Sequence, residues 1–207
     1  MKVAILSESP ADEAALRVLV DAVLGIKTTP IAANLRSRGW HAVRNILPVI
    51  TKQLHYHSDA EGLVVVVDSN HTYLSGDEPK NRLREFQELL QRCQKQLSPK
   101  TGRAQLKIAV GVAAPAIEAW LLCKSHPHIC ETAWEKGLND KREPYSKLEL
   151  KRKLYGCLEV FPLELTTQKM IEAAEGLKND LSVLERNFPN GFGSLAKELR
   201  SWRKIGG

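Results

Sequence analysis

Three acidic residues each follow a short apolar segment of the sequence. Glu8 comes two residues after the run KVAIL, Asp68 directly follows LVVVV, and Glu118 follows LKIAVGV across a short turn. Apolar runs rich in β-branched residues are typical of buried strands. Because parallel strands present their carboxyl ends at one edge of a sheet, we expect the three carboxylates to converge. Converging carboxylates need a proton or a cation to neutralise them, and Mg²⁺ and Mn²⁺ prefer such oxygen ligands.

Each of these acids also has a purely structural interpretation. Glu8 could be a surface residue attracted to the N-terminus of the next helix, and Glu118 could do the same in the first turn of its own helix. Ser9, however, already supplies a cap for the first helix, with Asp12 at the capping-box position, so Glu8 is not needed there. Glu118 lies in AAPAIEAWLLC, which contains no other charge, and an unpaired buried charge is very costly. We therefore favour a functional role for both residues.

The segment DSN, which follows the second apolar run, offers two possible oxygen ligands. Asp68 and Asn70 are both residue types that favour turns, so a structural role is an alternative. If the strand geometry continues past Asp68, the intervening Ser69 places the two side chains on one side. The predicted metal ligands are then Glu8, Asp68, Asn70 and Glu118.

The elements that must position these residues alternate between strands and helices. Strands are predicted at Lys2–Leu6, Leu63–Val67 and Gln105–Val112. Helices are predicted from Ser9 to about Leu24, over Trp40–Gln53 and Pro79–Leu97, and from Pro115 to Cys123. Pro115 is expected to be the first residue of the last of these helices. The segment Ile26–Arg38 is expected to be irregular. This alternation predicts an α/β fold with a mainly parallel sheet over residues 1–125.

The remaining residues, 126–207, show no strong strand pattern. They are predicted to form a helical extension packed against the same core, with helices at Lys147–Tyr155, Thr167–Asn179, Leu181–Asn187 and Ser194–Lys204.

The stretches ILSESPADEAALRVLV, VVVVDSN and APAIEAWLL together resemble the Toprim (topoisomerase–primase) superfamily. That superfamily has a glutamate after its first strand and an acidic DxD after a later hydrophobic strand. More specifically, the chain is similar to small bacterial Toprim-like proteins that carry an EAWLL helix. The resemblance covers about residues 1–125.

The resemblance implies Mg²⁺- or Mn²⁺-dependent phosphodiester chemistry, as in the nuclease branch of Toprim proteins, whose relatives often act in phage defence beside a partner ATPase. Glu8 would be the first-strand glutamate, Asp68 the first acid of DxD, and Glu118 the additional acid, so these three are the predicted catalytic residues. Asn70 and Lys124 depart from the pattern. Because Asn70 is neutral, it lowers the negative charge available for a second metal.

These departures support an alternative, a catalytically weak Toprim-like module that binds nucleic acid or docks on an ATPase. A nucleotide-binding α/β protein is not supported, because the chain contains neither GxGxxG nor GxxxxGK[ST]. The net charge of +6 hints at a polyanionic partner. Lys147, Arg36 and Arg38 are the candidate phosphate contacts, although charged runs are often only solvated faces.

Other features narrow the class of protein. No segment reaches the roughly 20 apolar residues that span a bilayer, and the first apolar run is short for a signal peptide, so we expect a cytoplasmic protein. The cysteines suggest reduced thiols, and CKSHPHIC is too compact for a known zinc module. His55 and His57 are expected at the surface. A homodimer is a reasonable expectation for a protein of this size.

Overall fold

The computed structural model describes residues 1–32, 39–74, 81–99, 104–156 and 162–203. Its strands form one parallel sheet in the order β2-β1-β3-β4. They are β1 (Lys2–Leu6), β2 (Thr29–Ile31), β3 (Gly62–Asp68) and β4 (Lys107–Ala113). The α/β fold with a parallel sheet is thereby confirmed.

Helices flank this sheet in two groups. The helices are α1 (Pro10–Leu24), α2 (Gly39–His57), α3 (Arg82–Lys95), α4 (Ile117–Leu122), α5 (Glu131–Asn139), α6 (Lys147–Tyr155), α7 (Leu163–Leu177), α8 (Leu181–Asn187) and α9 (Ser194–Ser201), and a π-helical turn spans Pro189–Gly193. Helices α2 and α3 pack on each other and on β3 and β4, whereas α1 packs with α7 and α9.

The first strand and helix follow the sequence pattern closely. Ser9 caps α1 by accepting a hydrogen bond from the backbone of Asp12 at 3.2 Å, and Pro10 is the first helical residue. Gly25 ends the helix with φ 60°, a left-handed conformation that glycine adopts without steric cost. The cap therefore fixes where β1 turns into α1, and with it the position of Glu8.

Several predicted elements need correction. Ile26–Arg38, expected to be irregular, contains β2, a three-residue strand without an apolar pattern. Pro115 follows a cis peptide bond and precedes α4, whose N-cap is Ala116, so Pro115 is not the first helical residue. Helix α5 was not predicted, because it is short and its N-cap makes no side-chain hydrogen bond.

His55, expected at the surface, is buried. Its Nε2 lies 3.0 Å from the carbonyl oxygen of Ser98, in the segment that follows α3. The sequence pattern of α2 did not show this contact, because the two residues lie 43 positions apart.

The C-terminal helices belong to the same hydrophobic core as the sheet. Trp120 of α4 packs against Phe188 and Phe192, with ring centroids at 6.5 Å and 5.3 Å. Trp202 lies so close to β3 that a Cβ at Gly62 would be 2.6 Å from its ring. The helical extension thus completes the core of the α/β unit.

Candidate functional site

The ends of β1, β3 and β4 are joined by hydrogen bonds to two carboxylates. Glu8 Oε1 accepts a hydrogen bond from the backbone N–H of Asp68 at 2.8 Å. Asp68 Oδ1 accepts one from the backbone N–H of Ile117 at 3.1 Å, and Ile117 directly precedes Glu118. The structure therefore brings the three predicted acids to one edge of the sheet.

Glu118 is the most deeply placed of the three, with 5% of its surface exposed. Its Oε1 accepts a hydrogen bond from the hydroxyl of Tyr155 at 3.3 Å. Burial raises the pKa of Glu118, and the Asp68 carboxylate raises it further. Burial also raises the pKa of Tyr155, so this hydroxyl remains a donor.

Asp12 is a fourth carboxylate at this edge, and the sequence analysis assigned it only to the helix cap. Burial raises its pKa to about 8, and the charges of Asp68 and Glu118 add to the shift. The sequence does indicate that Asp12 lies near Glu8, because it follows Glu8 by four residues and lies in the first turn of α1. We call Glu8, Asp12, Asp68 and Glu118 the carboxylate cluster.

Among the described residues, a lysine makes the one ion pair to this cluster. Lys147 Nζ donates to Asp68 Oδ2 at 2.7 Å. Burial raises the pKa of Asp68, while the Lys147 ammonium opposes that rise. Burial and the charge of Asp68 raise the pKa of Glu8. Lys147, predicted as a phosphate contact or a solvated residue, thus lies in the site as the partner of Asp68.

Helix α6 positions this lysine. Its N-terminus is fixed by a capping box between Ser146 and Glu149. Lys147, Lys151 and Tyr155 follow at intervals of four, which places them on one helical stripe. All three act on the cluster, because the charge of Lys151 lowers the pKa values of Asp68 and Glu118. The sequence analysis missed Lys151 and Tyr155, and their spacing is the signal that could have found them.

Asn70 does not lie as predicted relative to Asp68. β3 ends at Asp68, and Asn70 has φ 54° in the following turn, so the strand geometry does not continue. Its amide Nδ2 donates to the backbone carbonyl of Asp68 at 3.4 Å, and its backbone N–H donates to Pro115 at 3.0 Å. The structure therefore shows Asn70 as a turn residue that joins β3 to the start of α4.

The remaining candidates lie elsewhere or outside the description. Arg36 and Arg38 lie outside the described residues. Lys124 points to a different surface, where its ammonium lies 2.6 Å from Asp180. In the described part of the chain, no three carboxylate, imidazole or thiol side chains are arranged as they would be around one metal ion.

Comparison with known proteins finds no matching family model, no matching curated protein and no matching solved structure. The Toprim resemblance therefore stays a prediction that depends on the three motifs. None of the described helices combines the length and apolarity that crossing a membrane requires.

Proposed function

We propose that this chain hydrolyses phosphodiester bonds of DNA or RNA with the help of Mg²⁺ or Mn²⁺. The observation that supports this proposal is the convergence of Glu8, Asp68 and Glu118 at one sheet edge, with Lys147 paired to Asp68. Acids and a lysine gathered at the carboxyl ends of parallel strands are typical of a functional site.

The donor set fits a hard divalent cation. The carboxylate cluster offers only oxygen ligands, and among the described residues its one ion pair comes from Lys147. Mg²⁺ is commonly held by one or two protein carboxylates together with substrate phosphates, so a set of three protein ligands is not required. Asp68 and Glu118 would hold the ion.

When bound, the metal supplies Lewis-acid stabilisation of the charge on the phosphate. The residues of the chain orient the site around it. Glu8 holds the backbone of Asp68, Tyr155 holds Glu118, and Lys147 can contact a phosphate that lies beside Asp68. Of these residues, Glu8 has a raised pKa and no ion-pair partner among the described residues, which suits a proton acceptor.

A second candidate is a Toprim-like module with weak catalysis that binds nucleic acid or docks on a partner ATPase. Two observations favour it: the ammonium of Lys147 already neutralises Asp68, and the side-chain amide of Asn70 donates to the Asp68 backbone. A setting in phage defence or genome maintenance is proposed for either candidate on the motif resemblance alone.

A nuclease assay on plasmid, single-stranded DNA and tRNA with Mg²⁺, Mn²⁺ or EDTA separates the two candidates. Asp68→Asn and Glu118→Gln should abolish metal-dependent cutting, whereas Glu172→Gln, at an exposed position on α7, should leave it unchanged. Calorimetry with Mn²⁺ should show binding to the wild type that Asp68→Asn loses. Cutting that survives both site variants would contradict the proposed site, and nucleic-acid binding without cutting would favour the second candidate.

A further inference from the structure

Arg82, the first residue of α3, is buried but lacks acceptors for two of its donors. It is 6% exposed, and its Nε and Nη1 have no hydrogen-bond partner among the described residues. Glu85 Oε2 lies 3.9 Å from its Nε, while the other oxygen of Glu85 is paired with Arg44 at 2.7 Å. Buried guanidinium donors are nearly always satisfied, so this one calls for a partner.

The guanidinium of Arg82 lies against the N-terminus of α2. Its central carbon is 3.2 Å from the ring centroid of Trp40, the second residue of that helix. Helix α2 is 19 residues long and has no acidic residue in its first turn. A helix N-terminus carries a partial positive charge that attracts anions. Arg82 and α2 thus present positive charge to the same small region.

This region borders the carboxylate cluster. Gly39, the first residue of α2, has φ 71°, and a Cβ there would be 4.0 Å from Glu8 Oε2. The charge of Arg82 also lowers the pKa of Glu8, which shows that the two side chains are electrostatically close. An anion held by Arg82 would therefore lie next to the acids at the ends of the strands.

We propose that Arg82, stacked on Trp40 at the first turn of α2, binds one phosphate of the nucleic-acid backbone beside Glu8. A guanidinium presents forked donors that match two phosphate oxygens, and stacking on an aromatic ring fixes its plane. The proposal deepens the proposed function and depends on it for the identity of the ligand as nucleic acid. Arg82 is a binding residue in this scheme and takes no part in proton transfer.

The test measures binding without catalysis. Fluorescence anisotropy in EDTA follows a labelled 12-nucleotide DNA and its RNA counterpart over a series of salt concentrations. The variants are Arg82→Gln, Arg82→Lys and the control Arg92→Gln, an exposed arginine near the other end of α3 whose Nε donates to the Glu88 carbonyl. Inorganic phosphate is added as a competitor to show whether a free anion occupies the same place.

Arg82→Gln should weaken binding about tenfold, because a charge-assisted hydrogen bond is lost. It should also reduce the slope of log Kd against log salt by about one, as expected for one lost phosphate contact. Arg82→Lys should keep the slope but weaken binding, since it retains the charge without the fork. Arg92→Gln should stay within about twofold of the wild type, since a distant exposed charge is largely screened.

An unchanged affinity and slope in Arg82→Gln would overturn the proposal and leave Arg82 with a packing role on Trp40. A wild type that binds neither oligonucleotide at low salt would overturn it as well. If Arg82→Gln is unfolded by circular dichroism, Arg82→Lys decides, because unchanged affinity in that variant contradicts recognition by the fork. Competition by phosphate that is equal in the wild type and in Arg82→Gln would also overturn the proposal, because the anion would then bind away from Arg82.

The outcome is separable from that of the proposed function. Metal-dependent cutting is read with Asp68→Asn, whereas this binding is read in EDTA with Asp68 intact. If the slope falls in Arg82→Gln but no substrate is cut, the phosphate site stands and the nuclease proposal fails. If cutting requires Asp68 and Arg82→Gln binds normally, the nuclease proposal stands and the phosphate site fails.

Discussion

The four carboxylates of the cluster differ in how far their surroundings neutralise them. Asp68 has Lys147 at 2.7 Å and a backbone donor from Ile117, and Glu118 has the hydroxyl of Tyr155. Asp12 has no ion pair among the described residues, and burial raises its pKa to about 8. At the residue scale the cluster therefore holds more buried acidic groups than positive partners, which favours the protonated form of some of them.

Because its pKa is raised on folding, Asp12 should make the stability of the protein depend on pH. Folding raises its pKa from 3.8 to about 8, so the folded chain retains a proton that the unfolded chain releases. The stability from this proton is complete below pH 3.8 and is lost as pH rises towards about 8. Asp12→Asn, which is neutral throughout, should flatten the fall of the melting temperature between pH 5 and pH 8.

The control for this prediction is Asp180→Asn, at an exposed aspartate paired with Lys124. Its melting temperature should follow the wild-type pH profile. A wild-type melting temperature that rises from pH 5 to pH 8, or an unchanged profile in Asp12→Asn, would contradict the inferred protonation of Asp12.

Lys147 should matter for stability because it neutralises a largely buried carboxylate. Lys147→Met leaves Asp68 without its ion pair, and we expect the free energy of unfolding to fall by about 1–3 kcal/mol at pH 8. Lys153→Met, on an exposed position of the same helix, should change stability by less than about 0.5 kcal/mol. Urea denaturation provides the free energies.

A double-mutant cycle isolates the Lys147–Asp68 pair. If the pair is the cause, Lys147→Met should cost much less in a chain that already carries Asp68→Asn. Equal losses in both backgrounds would show that Lys147 stabilises the fold through packing of its stem.

At the scale of elements, the sequence predicted what depends on local pattern. The runs KVAIL and LVVVV form buried strands because they are apolar on both faces, and this placed Glu8 and Asp68 at one sheet edge. β2 was missed because a three-residue strand is fixed by pairing with β1, not by its own pattern. The side chain of Asn70 was predicted to lie on the same side as that of Asp68, which is wrong because β3 ends at Asp68, one residue after the valines.

The site was only partly predictable for a related reason. Asp12 has a sufficient local explanation in the Ser9 cap, so its proximity to Asp68 and Glu118 could only come from the packing of α1. Likewise, KLELKRK looks like a solvated charged run, and only the docking of α6 shows that Lys147 pairs with Asp68. Contacts between distant segments therefore decide which charged residues belong to the site.

The π-helical turn Pro189–Gly193 offers a test of how tightly the elements pack. A Cβ at Gly191 would lie 2.3 Å from the carbonyl oxygen of Val112 in β4, so Gly191→Ala must displace backbone. The backbone of Gly191 also donates to Glu131 at 2.9 Å. We expect Gly191→Ala to lower the free energy of unfolding, measured by urea denaturation, by about 1–3 kcal/mol.

The matched control is Gly176→Ala in α7, where a Cβ meets nothing within 4 Å. Alanine is favoured over glycine inside a helix, so the free energy of unfolding of this variant should rise by about 0.5–1 kcal/mol. If both substitutions had the same sign, close approach to β4 would not be the reason for glycine at position 191.

At the scale of the whole molecule, the C-terminal helices and the sheet depend on each other. Helices α7 and α9 pack on α1, and the side chains of Trp120, Phe188, Phe192, Leu195 and Trp202 share one core with β3 and β4. Lys107 of β4 also donates to the carbonyl oxygen of Trp202 at 2.8 Å. Residues 126–207 are therefore an extension in sequence order only, and the sheet is incomplete as a folding unit without them.

A fragment of residues 1–161 should accordingly fail to fold cooperatively. It lacks α7 and α9, so the apolar sides of α1 and β4 would face water, and the net stability of a domain is too small to tolerate the exposure of a large apolar surface. We expect a broad thermal transition and strong binding of the dye ANS, as in loosely packed states. Co-expression of residues 162–207 should restore a sharp transition if the two pieces need each other. A sharp transition in the fragment alone would show instead that residues 1–125 hold an independent core, which the shared packing of Trp120 with Phe188 and Phe192 argues against.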